Sequence, residues 1–498
     1  MKKTALVLAL LASVPVCTAS PQQTQTSATP ATRPLAAPGS PTLTIEPYTF
    51  NGPNGVKIEA EKGTYEVSEN RANPKSRKIK IGFVRFKSTS KTPGDPIVYL
   101  AGGPGGTGTG AAQSARFPLF MALREVSDVI AFDQRGTGMS SSMSMCRAEN
   151  PPIIDIKVTR DFLVSFFRKE IARCFDWWES QGVDIDGYTT MENAHDLEDL
   201  RTALGARKIN LWGISYGSHL GLTMLKYHGG SVNKAVLSGI EGLDQTVKRP
   251  ALTDKVFLHM QEIIDADPKA RALYPDLAGL MRRVVAKLNA NPVTGSFTPP
   301  NAPAPIKITF DGFAVQLMTS QTTADPSGFA NVPLMYYALD HGQYDRVASM
   351  LYGPILQQTS GFRGMPEAMD LASGITNPRL ALVTEEAKTA LLGDALNFPM
   401  PQVLGIRDVI DLGDEFRAPF KSNVPALFIS ATLDGRTYPD EAREEIKGFA
   451  NKTWLIVENG GHNIYEADKR VANAVVAYFK GKPIPTSIVF DPPKIAMP

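Results

Sequence analysis

A serine, a carboxylate and a histidine follow one another along this chain, each a few residues past a short apolar run. Ile209-Asn210-Leu211-Trp212 leads into Gly213-Ile214-Ser215-Tyr216-Gly217-Ser218, a G-x-S-x-G turn between an apolar run and a stretch of helix formers. A serine on so sharp a turn is pushed out of the backbone, and glycine is required where a side chain would strike a neighbouring element. Its hydroxyl is a poor nucleophile until a base takes the proton, so a histidine oriented by a carboxylate is expected downstream. Ala426-Leu427-Phe428-Ile429 runs into Asp434, and Trp454-Leu455-Ile456-Val457 runs into His462. The predicted roles are Ser215 as nucleophile, His462 as general base and Asp434 as the group that orients it. Asp440 competes with Asp434, but Pro439-Asp440-Glu441 reads as a helix start, where acids favour the macrodipole. His195, inside a marked helix, and His219, just after the serine, read as structural.

Acyl transfer also needs donors aimed at the oxyanion. Ile97 to Ala101 ends in Gly102-Gly103-Pro104-Gly105-Gly106, whose amides no side chain shields, and the predicted donors are the amides of Gly103 and Tyr216. A phosphate loop would need G-K-[ST] or the G-x-G-x-x-G spacing, and both are missing. The six histidines show no H-E-x-x-H spacing, so neither a metal nor another cofactor is expected. Lys and Arg number 52 against 50 Asp and Glu, for a net charge of +2. That balance makes no case for nucleic acid or for a membrane surface held by charge.

The elements that must carry these groups are legible as runs and periods. With 498 residues, 43% hydrophobic and 20% charged, the chain can bury a sizeable core. Residues 1–19 read as a signal peptide: Lys2 and Lys3, then an apolar stretch from Ala5 to Val16, then Cys17-Thr18-Ala19. That stretch is too short to span a bilayer. Val14 to Cys17 also resembles a lipoprotein box, in which case Cys17 would carry a lipid anchor. Residues 20–43, rich in Pro, Ala, Thr, Ser and Gln, read as a flexible linker. Export leaves Cys146 and Cys174, an even pair that fits a disulfide better than a metal or a reactive thiol.

From residue 44 to 90 an alternating pattern, as in Lys78 to Phe86, predicts antiparallel strands. Beyond 95, buried runs alternate with helix-length segments, which predicts an α/β architecture with a mostly parallel sheet and helices on both faces. One helix is marked by a capping box, Thr189 with Glu192, and by Gly205 as its stop. Val471 to Phe479 reads as a closing helix. Nearly two hundred residues separate Leu237 from Ala426, too many for a loop, and they read as a mainly helical inserted cap. The expected organisation is therefore a core of 44–245 and 421–498 interrupted by a cap of 246–420.

With Gly102 to Gly106, Asp133-Gln134-Arg135-Gly136-Thr137-Gly138-Met139-Ser140, Gly213 to Ser218, Thr432 to Gly435 and Gly461-His462 in place, the chain closely resembles the proline iminopeptidase and tripeptidyl aminopeptidase family of serine peptidases. The length and large cap look more like the tripeptidyl aminopeptidase branch, and Val332 to Leu351 is similar to that branch's cap. The resemblance implies the α/β-hydrolase fold, the triad and oxyanion donors named above, and a peptide with a free N-terminus as substrate. One departure is Ala101, where many relatives carry histidine. The family binds the substrate ammonium with acidic residues, and Glu241, four residues past the run Ala235 to Leu237, is the candidate here. The expected activity is that of an exported, periplasmic or secreted aminopeptidase working through an acyl-enzyme. An esterase or lactonase on the same triad is the alternative, because fold and triad do not fix the acyl substrate.

Overall fold

Strands that are apolar without alternation must be covered on both faces, and the central sheet is built that way. The computed structural model describes residues 41–149, 151, 155–299 and 304–498. The predicted signal peptide, Cys17 and most of the linker lie outside those residues. Ten strands form one sheet: β1 (Thr44–Asn51), β2 (Lys57–Ser68), β3 (Lys78–Phe86), β4 (Ile97–Leu100), β5 (Val129–Asp133), β6 (Ile209–Ile214), β7 (Val232–Ser238), β8 (Ala426–Ala431), β9 (Lys452–Glu458) and β10 (Ser487–Val489). Their order is β1-β2-β3-β5-β4-β6-β7-β8-β9-β10. The first three strands and the β3–β5 pair are antiparallel. From β5 to β10 every neighbouring pair is parallel.

Every residue of β4, β5, β6 and β8 is buried, and alternate side chains feed two cores. Val98, Leu100, Ile130, Phe132 and Leu211 belong to one. Ile97, Tyr99, Val129, Ala131, Trp212 and Ile214 belong to the other. In β3, Lys78 and Lys80 are exposed and alternate with buried Ile79 and Ile81, and where the strand meets β5 every residue but Arg85 is buried.

Two helices flank the nucleophile strand, α1 (Thr190–Ala203) before it and α2 (Tyr216–His228) after it. Thr189 caps α1 by accepting from the Glu192 amide at 3.2 Å. The return half of the predicted capping box is absent, because the Glu192 carboxylate instead accepts from the Arg71 amide at 3.0 Å.

Between β7 and β8 lie helices that include Pro250–Ala266, Leu277–Ala290, Gly312–Thr322, Tyr344–Thr359 and Met365–Ser373, together with a hairpin of Val293–Phe297 and Ile306–Phe310. The expected core and cap segments meet in strand pairings. The excursion between β5 and α1, assigned above to the 44–245 core segment, pairs with the insertion twice: Ile156–Val158 lies parallel to Ile308–Phe310, and Cys146–Arg147 lies antiparallel to Gly361–Phe362. The hairpin's edge needs a strand partner, and this excursion supplies it. A disulfide joins Cys146 to Cys174, fastening the short strand to the helix Arg160–Ser180. Among the described residues, no helix is long and apolar enough to cross a membrane.

Candidate active site

From Ile209 to Leu225 every residue is buried except Ser215. Ser215 sits between β6 and α2 with φ 57° and ψ −129°, a region that costs a non-glycine residue on the order of 1–3 kcal/mol. Surrounding contacts impose it. The Ser215 amide donates to Ser238 O at 3.0 Å and its carbonyl accepts from the Ser218 amide at 2.6 Å. A side chain at Gly213 would place Cβ 2.5 Å from Gly217 O, and one at Gly217 would lie 2.0 Å from Leu100 O. Among the described residues the Ser215 hydroxyl has no hydrogen-bond partner, and it lines a recess of about 680 Å³ with His462, Gly103, Glu241, Lys248, Ser320 and Arg436.

Asp434 and His462 meet at the ends of neighbouring strands, β8 and β9, with His462 Nδ1 2.9 Å from Asp434 Oδ2. Asp434 is buried, and burial alone would raise its carboxyl. The charge and hydrogen bond of His462, with bonds from Thr437, outweigh burial and hold it below the usual carboxylate range. Thr437 Oγ1 donates to Asp434 Oδ2 at 2.6 Å, and the amides of Arg436 and Thr437 donate to Oδ1 at 2.7 and 2.9 Å. Asp440 stands in the first turn of the helix Pro439–Glu445 and pairs with Lys255 at 2.6 Å, away from the histidine. His219 is buried, with Nδ1 3.1 Å from Gly242 O and Nε2 3.1 Å from Ser373 Oγ. His195 Nδ1 lies 3.0 Å from His228 Nε2.

The glycine loop after β4 presses against the serine: a Cβ on Gly102 would lie 3.0 Å from both Ile214 O and Ser215 Cβ. Among the described residues, neither the Gly103 nor the Tyr216 amide is given to another acceptor. The D-Q-R-G segment braces this loop. Asp133 accepts from the Thr109 amide at 2.9 Å and the Met139 amide at 2.7 Å, and Gln134 Nε2 donates to Ala101 O at 2.9 Å. Arg135, fully buried, places Nε and Nη2 each 2.8 Å from Asp196 of α1. The segment is a bracket for the loop rather than a set of reacting groups.

Glu241 lies in the recess, and its amide donates to Ser218 Oγ at 2.9 Å, but Lys248 Nζ already holds its Oε2 at 2.8 Å. Beyond Phe398, a second cavity of about 390 Å³ contains Pro104, Glu367 and Asp370. Burial, then the nearby Glu241 charge, pushes the Asp370 carboxyl up to about 7. Sequence reasoning missed Lys248, Asp370, Thr437 and Arg436. Six residues lie between Glu241 and Lys248 without a regular element, and Asp370 comes from deep within the insertion, so no spacing announces them. A groove of about 1050 Å³, lined mostly by the insertion and by Arg160, holds none of these groups. Among the described residues, no cluster of His, Cys, Asp and Glu could hold a metal ion.

The strand order, the serine turn and the matched acid and base loops define the α/β-hydrolase fold, and residues 95–298 match the family model described as alpha/beta hydrolase fold. The chain is 28% identical to a tripeptidyl aminopeptidase of Streptomyces coelicolor over 171 residues, 32% of this chain and 31% of that protein. It is 29% identical to a probable proline iminopeptidase of the same organism over 157 residues, 32% of this chain and 36% of that one. Serine protease Hip1 of Mycobacterium tuberculosis is 26% identical over 167 residues, 32% of each chain. Each match spans about a third of the relative's own length. The family resemblance read from the motifs thus recurs in the names of these relatives, at low identity.

Proposed function

We propose that the chain is an exported serine aminopeptidase that releases N-terminal residues or short peptides through an acyl-enzyme on Ser215. The observation that carries this reading is the partly buried Ser215 on a strained, otherwise buried turn, its hydroxyl opening onto the recess that also contains the His462 imidazole held by Asp434. Ser215 Oγ attacks the scissile carbonyl and His462 Nε2 takes its proton. The Nδ1–H of His462, donated to Asp434 Oδ2, fixes the tautomer, and Asp434 stabilises the imidazolium that forms. The amides of Gly103 and Tyr216 receive the oxyanion. As the tetrahedral adduct collapses, Nε2 returns the proton to the leaving amine. Water, activated by the same imidazole, then frees the acyl group from Ser215. Glu241 and Asp370 are the carboxyls that would meet a substrate ammonium. The Cys146–Cys174 bond supports residence in an oxidising compartment. The leader at 1–19 and Cys17 stay part of the proposal.

Ser215→Ala should lower turnover by on the order of ten thousandfold and abolish labelling by a fluorophosphonate. Retained activity on every substrate would remove Ser215 from the mechanism. Peptide anilides with free and blocked N-termini then test the aminopeptidase claim, and equal rates on both would end it. The second reading, a carboxylic ester hydrolase or lactonase on the same triad, is favoured by one observation: Lys248 already occupies the Glu241 carboxylate.

A further inference from the structure

We propose that Arg436 determines specificity by binding a carboxylate on the substrate. This rests on the reading of the Ser215 recess as the reaction site and narrows the substrate to a peptide with a negative charge near the bond cleaved. The charge pattern of the recess carries the inference. Its lining holds Arg116, Glu241, Lys248, Arg436, His462 and Glu466. Arg116 Nε lies 2.8 Å from Glu466 Oε1, Lys248 Nζ lies 2.8 Å from Glu241 Oε2, and His462 Nδ1 lies 2.9 Å from Asp434 Oδ2. Among the described residues, Arg436 alone of the six has no opposite charge in ion-pairing reach.

Its side chain is nevertheless oriented. Nη1 donates to Ser320 Oγ at 3.0 Å, and the Ser320 hydroxyl spends its own proton on Leu396 O at 2.8 Å, so it can only accept from the guanidinium. The backbone is fixed separately, by the Arg436 amide on Asp434 Oδ1 at 2.7 Å. Holding the acid loop therefore does not need the guanidinium. One N–H of five is engaged, and the remaining donors form the planar fork that matches a carboxylate in two parallel bonds. Half-buried in the recess that Ser215 also lines, the fork would bind an anion more strongly than an exposed arginine does, because water competes less. The carboxylate could be an acidic side chain or the free C-terminus of a short peptide, two sources that present the same chemistry.

Binding to the Ser215→Ala protein, measured by calorimetry, separates them without requiring turnover. The probes are Ala-Pro-Ala as the free acid and as its amide, and the amides of Ala-Pro-Glu and Ala-Pro-Gln. The expected result is that at least one carboxylate probe binds roughly tenfold or more tightly than its neutral partner. Adding Arg436→Gln should bring that ratio to about one, and the pair that responds identifies the source. Arg436→Lys, which keeps the charge but loses the fork, should cut the ratio at least threefold and serves if the glutamine variant does not fold. Equal binding within both pairs, a ratio that survives the Arg436 changes, or no binding of any probe would overturn the proposal. Turnover of the same peptides by the unmutated protein reports separately on the peptidase reading, whose failure leaves the binding ratios intact.

Discussion

Asp325, in the insertion, holds Asn463 through both of its carboxylate oxygens: the Asn463 amide donates to Oδ1 at 2.9 Å and Nδ2 donates to Oδ2 at 2.6 Å. Asn463 directly follows His462, whose own amide donates to Ala324 O at 2.7 Å. Thr323 O accepts from the Gly435 amide at 3.0 Å, one residue past Asp434. Three consecutive insertion residues thus grip the acid loop and the base loop together. Gly461 permits the approach, since a Cβ there would stand 2.4 Å from Pro326 Cδ.

Asp325 is therefore a positioning residue, acting through Asn463 on His462. Asp325→Ala should lower kcat by roughly 10- to 100-fold, the scale of a small misplacement of a reacting group, with KM changed far less. Asp325→Asn keeps the acceptor for the Asn463 amide and should recover part of the loss. Fluorophosphonate labelling gives the check: a folded Asp325→Ala protein labelled at the unmutated rate would show that the grip does not position the histidine.

The raised Asp370 carboxyl predicts a pH signature on both binding and stability. Below about 7 the group is neutral in the folded protein, so it attracts a substrate ammonium only above that pH. Then kcat/KM for free-amine peptides should rise through about 7, until the peptide amine itself loses its proton near pH 8. Asp370→Asn should flatten that limb. The stability effect has the opposite sense. The unfolded chain loses this proton near pH 3.9 and the folded chain only near 7, so folding binds an extra proton across that window and stability falls as pH rises through it. Thermal unfolding of Asp370→Asn should gain on the unmutated protein at pH 8 relative to pH 4. Parallel melting curves at both pH values would contradict the shift.

The Cys146–Cys174 bond closes a loop with a sequence separation of 28, which the chain-entropy account values at about 3–4 kcal/mol. Replacing both cysteines by serine should lower the urea midpoint accordingly, without abolishing fluorophosphonate labelling, because neither sulfur reaches the recess. An unchanged midpoint would mean that the excursion is held by its two strand pairings alone.

The parts legible in the sequence share one physical origin. A strand buried on both faces is mostly apolar, so β4, β5, β6 and β8 stand out as runs, and Asp434 and His462 follow just past β8 and the half-buried apolar run of β9. Interactions without a period were hidden. Ile308 pairs with Ile156 across a span that leaves no local pattern. Asp325 reads as an ordinary Asp-Pro turn until the fold sets it against Asn463. Lys248 has no spacing that marks it, yet it neutralises Glu241, the acid singled out for an ammonium. The capping box was half right for the same reason: Thr189 obeyed the local rule, while Arg71, over a hundred residues earlier, took the Glu192 carboxylate.

Two glycines near Ser215 should respond differently to alanine, because their close contacts differ in kind. At Gly217 the new Cβ would fall 2.0 Å from Leu100 O and 2.7 Å from its carbonyl carbon. Those are backbone atoms in the middle of the sheet with nowhere to retreat, so Gly217→Ala should destabilise by several kcal/mol or prevent folding. At Gly102 the contacts are 3.0 Å to Ile214 O and to Ser215 Cβ, and shifts of a few tenths of an ångström in the elbow relieve them. Gly102→Ala should therefore fold, melt within a few degrees of the unmutated protein, and lose labelling rate by about tenfold or more, because the atoms that give way carry the nucleophile and the loop that faces it. A Gly102→Ala protein labelled at full speed would mean that the distance between the glycine loop and Ser215 is not what sets the reactivity of the serine.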